Sequence, residues 1–133
     1  MSNEDCLQQG ECFCNLDYLM VNLGRNEATT MRLVGIFLEN YPLLTQRMHA
    51  SLECGDYPVL RDVLHDIRSS CVLFSGQRCV DLARGFEDAV RRHLDQGDGF
   101  ASPDEWKATA DSLADCMRGM AAEMTQFLAD RQN

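Results

Sequence analysis

The chain has 133 residues, 45% of them hydrophobic and 25% charged, which is the composition of a soluble globular protein with one core. Its formal net charge of -9 opposes binding to nucleic acid, because the 12 lysine and arginine residues are scattered and form no basic stripe. The acidic start at Met1–Asp5 does not resemble a secretory signal, and no apolar run is long enough to cross a bilayer. We therefore expect a cytoplasmic protein with no nucleic-acid or membrane partner.

The N-terminal segment contains three of the seven cysteines, at Cys6, Cys12 and Cys14. Three nearby thiols could bind a metal, but no paired CxxC motif accompanies them. The odd total and the spacing do not suggest a disulfide framework either. We expect residues 1–14 to form a flexible tail with reduced cysteines and no metal site, and residues 15–133 to form the folded domain.

Apolar residues with a 3.6-residue period predict helices along the rest of the chain. A short first helix should cover about residues 16–23 and end at Gly24. Asn26 can cap the second helix, which Pro42 should bend or interrupt and Gly55 should end.

The third and fourth helices are predicted from two apolar stripes. Asp56 can cap the third helix, with Pro58 in its first turn, and its stripe consists of Leu60, Val63, Leu64, Ile67, Cys71 and Phe74. After a turn at Ser75-Gly76, the stripe of the fourth helix consists of Cys79, Leu82, Ala83, Phe86 and Val90.

The last helix has the strongest start signal of the chain. Ser102 can be its N-cap, Pro103 its first residue and Glu105 the capping-box partner. Its narrow apolar seam consists of Trp106, Ala110, Leu113, Met117, Met120, Met124 and Phe127. Four long amphipathic helices predict an all-α fold, an antiparallel, up-and-down four-helix bundle with an additional short N-terminal helix.

His65 is the residue of the third helix that is the candidate for a chemical role. It lies roughly 150° from the centre of the apolar stripe and should face solvent, with Arg68 and Ser69 on the same face and Arg61 and Val72 flanking it. An exposed imidazole is partly neutral and nucleophilic near neutral pH. A guanidinium one turn away can bind phosphoryl oxygens without competing as a nucleophile. The patch suits phosphorylation, although a lone histidine on a solvated helix face usually has no chemical role.

The other two histidines lack such neighbours. His49 lies near the edge of the second helix, and His93 continues the apolar stripe of the fourth. We interpret both as structural or surface residues.

The segment Leu64-His65-Asp66-Ile67-Arg68-Ser69-Ser70 resembles the phosphoacceptor motif of the histidine-phosphotransfer (HPt) family. That motif is a histidine, any residue, an aliphatic residue, Lys or Arg, Gly and small residues, followed by a turn and an apolar helix that ends in Glu or Gln. Glu87 occupies the final position here. The sequence departs from the family pattern at Ser69, where Gly is usual, and at Leu64, where Ala is common.

The likeness continues upstream of the motif. The family has a helix with a phenylalanine and a proline, followed by a Gly-Asp junction, and the matching residues here are Phe37, Pro42, Leu52, Asp56 and Leu60. The resemblance covers roughly residues 16–90.

The resemblance implies a phosphocarrier rather than an enzyme with an ATP site. His65 would take a phosphoryl group from a receiver-domain aspartate and give it to a second one. Arg68 would stabilise phosphoryl charge, and Glu87 would orient the imidazole or else remain a solvated surface carboxylate. Arg61, Ser69 and Val72 would contact the receiver.

The resemblance also implies the partners. These are response-regulator receiver domains and a hybrid sensor histidine kinase. The partner receiver would supply Mg²⁺, so we expect no cofactor on this chain, and a monomer suffices for transfer from an exposed helix face. Two alternatives stay open: a helical protein that binds or sequesters a receiver without chemistry, and a cysteine-based metal or redox sensor.

Overall fold

The computed structural model describes residues 13–97 and 103–132, which form five α-helices and no strand. The helices are α1 (Leu16–Asn22), α2 (Glu27–Cys54), α3 (Tyr57–Leu73), α4 (Gln77–Gln96) and α5 (Pro103–Gln132). The all-α prediction is confirmed. In these two ranges, no helix is both long and apolar enough to cross a membrane.

Most helix ends follow from local sequence. The side chains of Asn26 and Asp56 each accept a hydrogen bond from a backbone N–H three residues ahead, as predicted. Gly55 ends α2 with a φ of 71°, which suits glycine because it lacks a Cβ. The last helix begins at Pro103, whereas the predicted cap Ser102 lies outside the described residues.

We predicted that Pro42 would bend or interrupt α2; the helix continues for 28 residues, so the predicted interruption is wrong. A proline removes one backbone donor, and packing on both sides can hold the helix despite that loss. Phe37 and Met48, before and after the proline, are 4% and 0% exposed. Pro42 itself is exposed, so its ring does not enter the core.

The four long helices enclose one core. Each packs against its neighbour in the chain, and α5 closes the ring against α2, while the short α1 packs on α2. The predicted stripe of α3 and the predicted seam of α5 are buried in full. In α4 the prediction holds except at Leu82, which is half-buried. A core of this kind fixes which face of α3 points outward.

Two residues of the predicted tail pack against α5. The backbone N–H groups of Phe13 and Cys14 donate to the Glu123 carboxylate at 2.6 and 3.1 Å, and Cys14 is 8% exposed. The Phe13 ring lies against Gly119, whose missing Cβ leaves room for it. The flexible tail expected over residues 1–14 therefore does not include these two residues. Cys6 and Cys12 lie outside the described residues.

Candidate functional site

His65 lies on the outer face of α3, as its position in the helical period predicts. Its side chain is 53% exposed, whereas Val63, Leu64 and Ile67 around it in sequence are fully buried. Because the buried side chains fix the rotation of α3, the imidazole is presented to solvent from a rigid element.

Arg68 connects His65 to the neighbouring helix. Its Nη2 lies 3.0 Å from Nδ1 of His65, and its Nε donates to Oε1 of Glu87 at 2.9 Å. The Arg68 side chain is 28% exposed, so it is partly shielded from water by α3 and α4. The structure thus brings Arg68, His65 and Glu87 together, three residues that the sequence singles out.

Glu87 is the buried member of the site. Its side chain is 3% exposed, and Oε2 lies 3.6 Å from Nδ1 of His65. It is therefore not the solvated surface carboxylate that was the alternative in the sequence analysis. A buried carboxylate needs compensating donors, and here it has three.

Arg91 supplies two of those donors, and this role was not predicted from the sequence. Its Nε and Nη2 both donate to Oε2 of Glu87, at 3.0 and 2.8 Å. The signal for it was present, because Arg91 follows Glu87 by four residues on the same helix. Such pairs are common on helix surfaces, however, and the sequence does not show that Glu87 is buried.

The electrostatics of the cluster favour an ionised Glu87. Burial by itself raises the pKa of this carboxyl group, but the hydrogen bonds from Arg91 and Arg68 outweigh burial and hold the pKa below its ordinary value of 4.5. The hydrogen bond with Glu87 in turn raises the pKa of Arg91. Two guanidiniums against one carboxylate leave a net positive charge beside the imidazole, which suits an anionic group.

The predicted docking residues lie around this cluster without joining it. Arg61 is directed to the adjacent Asp62, with Nε 3.2 Å from Oδ1, and Ser69 is exposed. Val72 is 54% exposed, and its neighbour Leu73 is 46% exposed. The outer end of α3 therefore carries apolar surface beyond His65.

An apolar groove between α2 and α3 extends that surface. Ile36 of α2 is 46% exposed and lines the groove together with Ser70 and Leu73 of α3. The exposure of Ile36 was not predicted from the sequence. The position of a residue in the helical period does not show whether the neighbouring helix extends far enough to cover it.

The other histidines form no comparable cluster. Nε2 of His49 lies 3.9 Å from an Asp111 carboxylate oxygen, and the His93 ring packs edge-on against Tyr57 and Trp106. In the described parts of the chain, no group of three or more His, Cys, Asp and Glu residues is arranged to hold a metal ion.

Three buried thiols, Cys71, Cys79 and Cys116, meet in the core. The hydrogen bond with Cys116 by itself lowers the pKa of Cys79, but the hydrogen bond with Cys71 and burial outweigh it and raise the pKa to about 12. The hydrogen bond with Cys79 raises the pKa of Cys116. Neutral buried thiols are poor nucleophiles, so this cluster packs as small hydrophobic groups.

Comparisons with known proteins connect this geometry to one fold. No model of a protein family matches the chain, and no curated protein matches it. Among solved structures, the chain is similar to the HPT domain of the Hpt sensor hybrid histidine kinase from Shewanella, with a TM-score of 0.70 and 13% sequence identity over 89% of this chain and 95% of that one. An identity this low supports likeness of fold alone. The chain has an HPt-like fold.

Proposed function

We propose that the chain is a phosphocarrier of a two-component phosphorelay. His65 accepts a phosphoryl group from the aspartyl phosphate of one receiver domain and gives it to the aspartate of another. The observation that carries the proposal is an exposed imidazole whose Nδ1 lies 3.0 Å from Arg68 and 3.6 Å from the buried carboxylate of Glu87. The HPt-like fold supports the same reading.

The roles of the three residues follow from their positions. The contacts of the ring with described residues are all at Nδ1, so Nε2 is the nitrogen that a donor can reach from solvent. Arg68 neutralises phosphoryl charge, and Glu87 accepts a hydrogen bond from Nδ1–H during transfer and so orients the ring. The receiver contributes Mg²⁺, and this chain acts without a cofactor or an ATP site of its own.

The surface around His65 suits a protein partner. Val72 offers an exposed apolar side chain two turns beyond His65, and Arg61 and Ser69 lie on the same outer side of α3. The ring of four long helices, with short connections between α2, α3 and α4, fits an up-and-down antiparallel bundle that acts as a rigid monomeric platform. Its partners would be receiver domains and a hybrid sensor histidine kinase, in the cytoplasm.

Phosphotransfer from a phosphorylated receiver domain tests the proposal. The receiver is phosphorylated with a labelled small-molecule phosphodonor and separated from excess donor. It is then mixed with the wild-type chain, His65→Gln or His49→Gln. His49 is the matched control, because its side chain is also substantially exposed, at 40%. We expect acid-labile label on the wild type and on His49→Gln and none on His65→Gln. Label that persists without His65 would contradict the assignment.

The alternative of a receiver-binding protein without chemistry draws on the exposed apolar residues. Val72, Leu73 and Ile36 could hold a partner whatever the state of the imidazole. Titration of unphosphorylated receiver, followed by the transfer assay, separates the two functions. Tight binding with no label on His65 would favour sequestration.

A further inference from the structure

Nδ1 of His65 lies near one hydrogen-bond donor and one hydrogen-bond acceptor. Nη2 of Arg68, 3.0 Å away, can only donate a hydrogen bond. Oε2 of Glu87, 3.6 Å away, belongs to a carboxylate whose pKa is held low, and an ionised carboxylate can only accept. A neutral imidazole carries one proton, so Nδ1 cannot satisfy both groups at once.

The two distances show which of these groups is hydrogen-bonded to Nδ1 in the free protein. The contact with Arg68 lies within the range of an N–H···N hydrogen bond, whereas 3.6 Å exceeds the usual range for a bond to a carboxylate oxygen. Nδ1 therefore presents its lone pair to Arg68, and the ring proton is on Nε2. In that tautomer the outer nitrogen has no lone pair with which to attack phosphorus.

We infer that Arg68 is a positioning residue that holds His65 in this unreactive tautomer until a phosphoryl group arrives, and that Glu87 then accepts a hydrogen bond from Nδ1–H. The inference rests on the proposed phosphocarrier function. Phosphoryl oxygens are anionic acceptors and bind a guanidinium more strongly than a neutral ring nitrogen does. The incoming group therefore draws Arg68 away from Nδ1.

Arg91 keeps Glu87 ready for this exchange. A carboxylate has about four acceptor positions, and three are used here, one by Arg68 and two by Arg91. Both donors of Arg91 use Oε2, so the remaining position is on Oε1, and a second opens there when Arg68 shifts toward the phosphoryl group. Because Arg91 still donates to Oε2 when Arg68 shifts toward the phosphoryl group, the buried charge stays compensated.

The transfer step balances without another reactant. Solvent takes the proton from Nε2 and supplies one to Nδ1, so the ring stays neutral. The freed lone pair of Nε2 then forms a bond to phosphorus, and the phosphorus–oxygen bond to the receiver aspartate breaks, with its electrons leaving on the carboxylate. The product has phosphorus on Nε2 and a positively charged ring whose Nδ1–H faces Glu87.

The tautomer can be read from the unphosphorylated protein by NMR. Two-bond ¹H–¹⁵N correlation spectra at about pH 8.5, where imidazoles are neutral, distinguish a protonated from an unprotonated ring nitrogen. The chain has three histidines, so His65→Gln assigns the signals and His49 serves as an internal reference. We expect the proton of His65 on Nε2 in the wild type and mainly on Nδ1 in Arg68→Ala, because Glu87 is then the nearest partner.

Two further variants make the test specific. Arg92→Ala, which removes an exposed arginine of α4, should leave the tautomer as in the wild type. Arg68→Ala combined with Glu87→Ala should lower the Nδ1–H share below that of Arg68→Ala alone, since the acceptor is gone. A wild type already protonated on Nδ1, or an Arg68→Ala spectrum identical to wild type, would overturn the inference.

These spectra are independent of the proposed function. If His65 takes no label from a phosphorylated receiver but the tautomer shifts as expected, the phosphocarrier proposal fails while the control of the ring by Arg68 stands. If label appears but the tautomer does not respond to Arg68, the gating inference alone fails.

Discussion

Arg68 makes two contacts that a shorter side chain would lose together, one with the ring of His65 and one with Glu87. A charge-assisted hydrogen bond to a phosphoryl oxygen contributes about 1.5–3 kcal/mol. Its loss in Arg68→Ala should outweigh the release of His65 into the reactive tautomer, so transfer should slow at least several-fold while the fold stays intact. Rapid-quench measurements with a phosphorylated receiver give the rate. Arg84→Ala, at an exposed arginine of α4, is the control. Equal transfer rates in the wild type, Arg68→Ala and Arg84→Ala would contradict the proposed charge role of Arg68.

Arg91 contacts the site through Glu87. Its removal takes away two of the three hydrogen bonds to a buried carboxylate, so the pKa of Glu87 should rise and stability should fall by about 1–2 kcal/mol. Carboxyl ¹³C titration and urea unfolding measure the two effects. Arg92→Ala should show neither. Loss of stability in Arg91→Ala with an unchanged Glu87 titration would mean that Arg91 stabilises α4 by another route.

At the scale of a helix, α3 has a buried side that packs in the core and an outer side that is open to solvent. Val72 lies on the outer side with 54% exposure, and Val21 of α1 has nearly the same exposure, 52%. Val72→Asp should weaken receiver binding about tenfold, because it puts a charge into an apolar contact, and should change stability by less than about 0.5 kcal/mol. Calorimetric titration and thermal unfolding provide the two numbers.

Val21→Asp is the matched control for that experiment and should leave receiver binding unchanged. Equal weakening by both variants would indicate an effect of added negative charge on an acidic chain rather than a local contact. A large loss of stability in Val72→Asp would mean that the residue is packed in solution.

The same two sides explain what the sequence could predict. Caps such as Asn26 and Asp56 and the stripe of α3 depend on residues within one or two turns, so local pattern is enough. The burial of Glu87 depends on how closely α3 packs against α4, and its charge gives no sign of that. The persistence of α2 through Pro42 likewise depends on packing around it, which outweighs the loss of one backbone donor.

Across the whole molecule, the start of the described chain is fastened to its last helix. A Cβ on Gly119 would lie 2.5 Å from atoms of the Phe13 ring, so Gly119→Ala should displace that ring and destabilise the fold by about 1–3 kcal/mol. Gly85 is the control, because a Cβ there would meet nothing within 4 Å and alanine should stabilise α4 by about 0.5–1 kcal/mol. Urea unfolding of both variants checks the opposite signs, and destabilisation by Gly85→Ala would show that helix propensity does not control that position.

Glu87 also joins α3 to α4, so its ionisation should be visible in global stability. Its pKa in the folded chain is below the ordinary value of 4.5 because Arg91 and Arg68 together outweigh the effect of burial. The ionised form is then favoured by folding, and its contribution is complete above about pH 4.5 and is lost as the pH falls through the lower, folded pKa.

We therefore expect urea unfolding to give a difference in free energy of unfolding between wild type and Glu87→Gln that is constant near pH 7. This gap should narrow as the pH falls from about 4.5 to 3. The amide keeps the size of the side chain but cannot carry the charge, so the gap isolates the ion pairs. Glu53→Gln, at an exposed carboxylate of α2, should follow the wild type throughout. A gap that does not vary with pH would mean that Glu87 stabilises the bundle by shape and neutral hydrogen bonds rather than by its charge.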